Sequence, residues 1–314
     1  MAHGRHKRRQ SGFKAVQIWL VSLILLAAAT ALGAKTLVRN VQMGARSPAS
    51  LIKATPTTSA VASRLGASEK LQMTKVVDGF IGQRHGEIEV AVDDLTTGTT
   101  LTFGGQAPQD EASVVKVNIL AALLSTASES SPISPSEQDL AQQMIEASDN
   151  TAATNLWDAV GGSEGIATFN RRVGLTSTRP SSCVQCAGFP WPGWGLTTTT
   201  PLDQLKLLAA IFLNPKVLTA QERDEQLRLM ESIIPSERWG VTGGVSASAT
   251  VAFKNGWLPL NSDDTNWQIN SVGWIRGDGR NYFLAMLSTR NPSEDYGIQS
   301  LDDISGMLWG QMAT

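Results

Sequence analysis

Apolar and polar positions change period repeatedly along this chain, and the changes mark out its elements. Ser68 can cap a first helix running to about residue 81, with Leu71, Val76, Val77, Phe80 and Ile81 approximating one apolar face. Alternation then replaces it. Residues 87–95 read Glu-Ile-Glu-Val-Ala-Val-Asp-Asp-Leu, and after Thr96-Thr97-Gly98 a second run covers 99–103, a hairpin pattern. A strongly apolar helix is expected over 113–124, and further helices over 136–147, 151–160, 163–173, 201–213 and 219–233. Between them, 176–199 carries clusters of Gly, Pro and Trp without apolar period, a long loop of the kind that often serves function. Strands return at 251–257, 267–276 and 282–289, and an amphipathic helix near 298–312 closes the chain. Strands at both ends with helices between predict an α/β fold of the α+β kind. One antiparallel sheet is assembled from both termini, with helices flanking it and an all-helical half inserted.

Upstream of residue 66 the pattern differs. Arg5, Lys7, Arg8, Arg9 and Lys14 precede an uncharged apolar stretch, the layout of an export leader or a membrane anchor. At about 1.5 Å per helical residue that stretch reaches roughly the thickness of a bilayer core. The small-residue pair Ala31 and Gly33 makes a poor cleavage site, which favours an uncleaved anchor. The expected organisation is a cytoplasmic basic leader (1–14), a transmembrane anchor or signal peptide (15–34), a Ser/Thr/Ala-rich tether (35–65) and a folded domain (66–314) outside the cytoplasm. The domain is membrane-held, or secreted if the leader is cleaved. Cys183 and Cys186 would there either close a small disulfide loop or remain two idle thiols.

Composition prunes the chemistry. A net charge of -2, with its basic clusters confined to the first residues, disfavours nucleic acid as a partner. The only histidines are His3, His6 and His85, two of them in the leader. A Ser-His-Asp triad would rest on His85 alone, which reads as a turn residue, and a zinc site built on several histidines is excluded. No metal or cofactor is expected, and the domain is expected to act as a monomer. If the chain is a hydrolase, lysine must be its base.

Three short motifs supply that lysine: Ser113-Val-Val-Lys116 at a helix start, Ser148-Asp149-Asn150 between helices, and Lys254-Asn255-Gly256 on a strand. Each is weak alone, but their order and context are those of S-x-x-K, S-D-N and K-T-G. On these residues, and on the run from Ser148 through Asn155 to Leu156 and the Thr200-Pro201 helix start, the chain resembles the class A β-lactamase and penicillin-binding protein superfamily of serine hydrolases over about 66–312. The resemblance implies an acyl-enzyme on Ser113. Lys116, one turn away, would act as base once burial beside Lys254 lowers its pKa. Ser148 would pass the proton to the leaving nitrogen, and Asn150 would hold the substrate amide or the lysine. Lys254, Asn255, Gly256 and Trp257 would line the substrate, Lys254 attracting its anionic group and Trp257 forming an aromatic wall. The backbone N–H groups of Ser113 and Trp257 would form the oxyanion hole.

The pattern also departs from that family. The triplet has Asn255 where a hydroxyl residue is usual, and Arg238 and Arg276 match the usual carboxylate-binding arginine by neighbourhood only. No acid occurs from Ile166 through Leu202, where a class A β-lactamase carries its deacylating glutamate, and Gln185 cannot act as a base. Ser113 and Ser148 stand closer in sequence than the family pattern leads one to expect, so one rim of the cleft is trimmed. Three readings follow: a membrane-tethered serine hydrolase of the class A β-lactamase type taking a β-lactam or related amide, a D-alanyl-peptide carboxypeptidase or transpeptidase of the cell wall, and a non-catalytic domain that binds penicillin or cell-wall fragments.

Overall fold

Residues 282–288 are buried at every position, on both faces of their strand. Only a central strand with helices on either side accommodates the continuous apolar run Phe283-Leu284-Ala285-Met286-Leu287. The computed structural model describes residues 66–127, 132–183, 186, 192–260 and 265–312. The expected leader, anchor and tether lie outside them. Among the described residues no helix is long and apolar enough to cross a membrane.

The chain begins with α1 (Ala67–Ile81), β1 (Glu87–Asp94), β2 (Thr99–Gly104) and the short β3 (Gln109–Asp110), then enters a 3₁₀ turn (Ala112–Val114) that continues as α2 (Val115–Leu124). Next come α3 (Pro135–Glu146), α4 (Asn150–Ala159), α5 (Gly162–Val173), a 3₁₀ turn (Gly193–Leu196), β4 (Thr198–Thr199), α6 (Pro201–Leu213) and α7 (Ala220–Glu231). Two more 3₁₀ turns (Pro235–Glu237 and Gly240–Thr242) lead into β5 (Thr250–Pro259), β6 (Trp267–Gly277), β7 (Arg280–Asn291) and α8 (Glu294–Gln311). The main sheet runs β2-β1-β7-β6-β5, antiparallel throughout, so the two ends of the domain meet where β1 pairs with β7. Helix α8 packs on β6 and β7, and α6 packs on β7 and β1. This is the expected architecture, with the helical half inserted between β2 and β5.

Local chemistry explains most boundaries. The Ser134 hydroxyl accepts from Glu137 N at 3.2 Å while Glu137 Oε2 accepts from Ser134 N at 2.7 Å, a reciprocal cap ahead of Pro135. Three expectations shift. Gly66, not Ser68, caps α1, its N–H donating to Glu69 Oε2, and the buried side chains are Met73 and Val77 while Leu71 is exposed. Helix α8 starts ahead of its apolar period because the Ser293 hydroxyl accepts from Tyr296 N at 3.1 Å. The loop over 176–199 is tied at its ends by the β3–β4 pair and by the Asp203 carboxylate, which accepts from Ser177 N at 2.6 Å and the Thr178 hydroxyl at 3.1 Å. Within that loop Cys183 and Cys186 are joined as a disulfide.

Phe283 is wholly buried and packs against Trp274 and Phe212. Phe283→Ala is therefore expected to cost about 3–5 kcal/mol in urea unfolding, the range for deleting a core aromatic.

Candidate active site

Helix α2 is apolar but for Lys116 and Asn118, and all ten of its residues are buried, so it threads the helical half as a central rod. It packs against α3, α4, α5 and α7. From residue 111 to the end of this helix only Ser113 is not fully buried. The sequence expectation placed Ser113 at a helix start. It lies in the middle of the 3₁₀ turn, and Lys116, three residues on, lies in the first turn of α2, a spacing that sets neighbours on one side of a helix. Ala112, just before it, has φ 49°, and Ser148 has φ 53°. Of the four non-glycine residues found in the left-handed region among the described residues, one thus lies in a motif and another directly precedes one, where strain is commonly held in place by surrounding structure.

Lys116 is wholly buried, and its Nζ donates to Ser148 O at 2.5 Å, to Asn150 Oδ1 at 2.8 Å and to Ser148 Oγ at 3.1 Å. Asp149 between them faces away and caps α4, accepting from Ala152 N at 2.7 Å. Two motifs far apart in sequence are therefore joined at one amine. Burial holds that amine well below the ordinary lysine range, the Lys254 charge pushes it further down, and Glu237 and Asp149 oppose the shift. An amine so lowered gives up its proton more readily than an ordinary lysine, which a general base requires.

Strand β5 brings the third motif against the nucleophile turn. A Cβ on Gly256 would stand 2.7 Å from Ser113 N and from Glu111 O, so the two backbones meet with room for glycine alone. That contact brings the strand carrying Trp257, the next residue, against the backbone of the nucleophile turn. Trp257 is the one residue of 251–258 not fully buried, and its ring meets Trp239 edge-on at 5.9 Å. Lys254 is buried, and its Nζ lies 3.2 Å from Glu237 Oε2. Burial lowers the Lys254 amine, and Glu237 counters the effect. Asn255, expected to face substrate, is fully buried with its amide spent on structure. Its Nδ2 donates to Glu237 O at 2.7 Å and to Trp239 O at 3.1 Å, and its Oδ1 accepts from the Ser271 hydroxyl at 2.6 Å.

The long loop contributes an indole. The Trp194 ring centroid lies 5.1 Å from Lys116 Nζ, and its Nε1 donates to Thr154 Oγ1 at 3.1 Å, which fastens the loop to α4. Glu111, two residues before Ser113, is fully buried, and burial with the nearby Asp203 charge pushes its carboxyl up to about 8. It is protonated at neutral pH and a poor proton acceptor there. Of the two arginines considered, Arg276 is bound to Glu231, and Arg238 is exposed with its guanidinium 5.3 Å from the Phe253 ring centroid.

Lys116, Ser148 and Asn150 are thus brought together at one amine, and Gly256 is set against the backbone of Ser113. Sequence reasoning missed Trp194 and Glu237. The first stood in a loop already marked by its Trp, Gly and Pro content. The second had no local signal, being a single acid whose partner lies on another element. Asn270 was missed too: its Nδ2 donates to Asp110 O at 2.8 Å and Glu111 O at 3.0 Å, holding the approach to the nucleophile.

Comparison with known proteins agrees with this fold. Among solved structures, TLA-3 extended-spectrum beta-lactamase superposes with a TM-score of 0.69 at 16% identity, over 78% of this chain and 100% of that one. A variant of the class A beta-lactamase of the last common ancestor of Gram-negative bacteria gives 0.63 at 20% identity, over 76% and 97%. At such identities the likeness is one of fold. A Mycobacterium tuberculosis protein named as lipoprotein LppW is 26% identical over 215 residues, 66% of this chain, and the match spans 64% of that relative's length. The same protein of Mycobacterium bovis matches equally. A model described as "Beta-lactamase enzyme family" matches residues 126–312, beginning downstream of Ser113 and Lys116 and taking in the Ser148 and Lys254 motifs. By that match, and by a fold that sets Ser113 and Lys116 beside those motifs, the chain belongs to the beta-lactamase enzyme family.

Proposed function

We propose that the domain is a serine acyl-transfer hydrolase that forms an acyl-enzyme on Ser113 with a β-lactam or related amide and resolves it slowly. The observation that carries this reading is the buried, pKa-lowered Lys116 amine joined to Ser148 and Asn150 behind a half-exposed Ser113. Ser113 Oγ attacks the carbonyl carbon as its proton passes to Lys116 Nζ, and the oxyanion is met by the N–H groups of Ser113 and Trp257. The carbon–nitrogen bond then breaks, with the proton reaching the leaving nitrogen through the Ser148 hydroxyl. Water later attacks the ester and frees the acid and Ser113.

Slow resolution follows from what surrounds Lys116: the described part of the loop offers the Trp194 indole and no carboxylate, and Glu111 is held neutral. This favours as a second reading a cell-wall enzyme acting on peptide amides over a fast β-lactamase. The basic leader, the apolar stretch after it and the lipoprotein name of the relative support a membrane-tethered domain outside the cytoplasm. Residues 1–65 contain no cysteine, so a peptide anchor suits this chain better than a lipid on a leader cysteine.

Incubating the full chain in detergent with a chromogenic cephalosporin, with absorbance and intact mass followed together, tests the reading. One stoichiometric adduct that persists, and is lost in Ser113→Ala, is the expected result. Sustained turnover would overturn slow resolution, and an adduct on the Ser113→Ala protein would overturn the nucleophile.

A further inference from the structure

The carboxylate nearest the substrate lysine is the protein's own. Lys254, wholly buried on β5, would draw an anionic substrate group, yet its Nζ is already paired with Glu237 at 3.2 Å. Glu237 itself is only 8% exposed, in the turn that follows α7. The donor next along the strand is equally committed, because both N–H groups of the Asn255 amide hold the backbone of Glu237 and Trp239. That same bond fixes the turn, so Glu237 is held in place and is not a wandering surface acid. Of the candidate arginines, Arg276 is paired with Glu231 and Arg238 lies exposed against the Phe253 ring, while across the sheet from Lys254 and Asn255 stand Val272 and Ser271. An arriving carboxylate would meet a neutralised cation and a like charge.

We infer that Glu237 is a specificity-determining residue: by occupying the anion position on Lys254 it directs the enzyme to amide or ester donors with no carboxylate beside the scissile bond. This rests on the serine acyl-transfer reading above and narrows its substrate class. Donors that carry a free carboxylate on the carbon attached to the leaving nitrogen are disfavoured, and internal, amidated or esterified ones are accepted. Glu237 reaches the base as well. Of the charged groups that face Lys116, Lys254 on β5 depresses its amine, while Glu237 in the turn and Asp149 at the start of α4 raise it. Removing the Glu237 charge alone therefore lowers the Lys116 amine further.

The test compares benzylpenicillin with its methyl ester, two probes that share one ring system and differ by one charge, as acylating agents of the full chain in detergent. Adduct formation on Ser113 is followed by intact mass. Wild type is expected to react faster with the ester. Glu237→Gln is expected to raise the rate with the acid on the order of 10²-fold, the scale on which a like charge is rejected, and to change the ester rate by less than about threefold. Its acylation profile should also start to rise at a lower pH, a readout that mere structural damage does not move. Glu237→Asp, which keeps the charge, should follow wild type. Equal acid and ester rates in wild type, or a Glu237→Gln protein that gains on both probes alike, overturns this inference and leaves the acyl-transfer reading standing. Absence of any adduct from either probe on either protein overturns that reading and the inference with it. If Glu237→Gln fails to fold, the comparison of the two probes on wild type decides alone.

Discussion

Replacing Lys116 by methionine is expected to slow acylation of Ser113 by about 10²–10⁴-fold at neutral pH, the usual worth of a positioned general base. Methionine keeps most of the side chain's volume in a helix with no space to collapse, so the loss reports the amine and not a cavity. The pH profile carries the same information in wild type. Because burial lowers the Lys116 amine, its base form persists to lower pH than that of an ordinary lysine. The acylation rate should fall about tenfold per pH unit once the pH drops below that lowered pKa. Stability runs in the same direction. A lysine whose folded pKa lies below its unfolded value leaves the unfolded chain holding more protons between the two, so stability rises with pH across that window. Burying the amine therefore costs stability at neutral pH. Ser148 and Asn150, which would lose their donor, are only half-buried and can turn to water. The Lys116→Met protein should thus unfold at no lower urea concentration than wild type while losing acylation, as stopped-flow labelling and urea titration would show together. A parallel loss of both would remove the argument that the amine serves chemistry at the expense of the fold.

Gly256→Ala should have the next largest effect, an acylation rate about 10²–10³-fold lower, the scale of losing one oxyanion donor. The added methyl would stand 2.7 Å from Ser113 N and from Glu111 O and 2.8 Å from Val114 N, all backbone atoms that cannot rotate aside. Strand β5 and the nucleophile turn would have to separate, and the N–H groups of Ser113 and Trp257 would move apart with them. Overpacking of this kind costs about 1–3 kcal/mol in stability, small enough for the domain to remain folded. Measuring adduct formation beside thermal melting distinguishes the two effects. An alanine variant that acylates at the wild-type rate would show that the oxyanion hole does not depend on this contact.

Much of the framework is legible in the residues themselves. Alternation along the sequence of β1, the unbroken apolar run of β7 and the Thr200-Pro201 helix start act over a few residues, so local sequence reports them directly, whereas α3, expected from Ser136, is capped two residues earlier by Ser134. Boundaries slipped where a cap lies outside the apolar period, as Ser293 does ahead of α8. The β3–β4 pair has two residues per strand, too few for any period, and exists because Asp110 and Thr198 are brought together by the loop's return.

The three motifs, their order and the lack of a second histidine-based option come from the sequence by itself, because they depend on residue type and spacing alone. That was sufficient to name Ser113, Lys116, Ser148 and Asn150 as one group. Tertiary structure alone decided what surrounds them. It leaves Ser113 half-exposed within a buried segment, lays Trp194 against Lys116, spends the Asn255 amide on the backbone, and pairs Lys254 with Glu237. Each of these joins side chains from elements distant in sequence, and whether a buried charge meets a partner, an indole or a substrate depends on which surfaces the fold brings into contact.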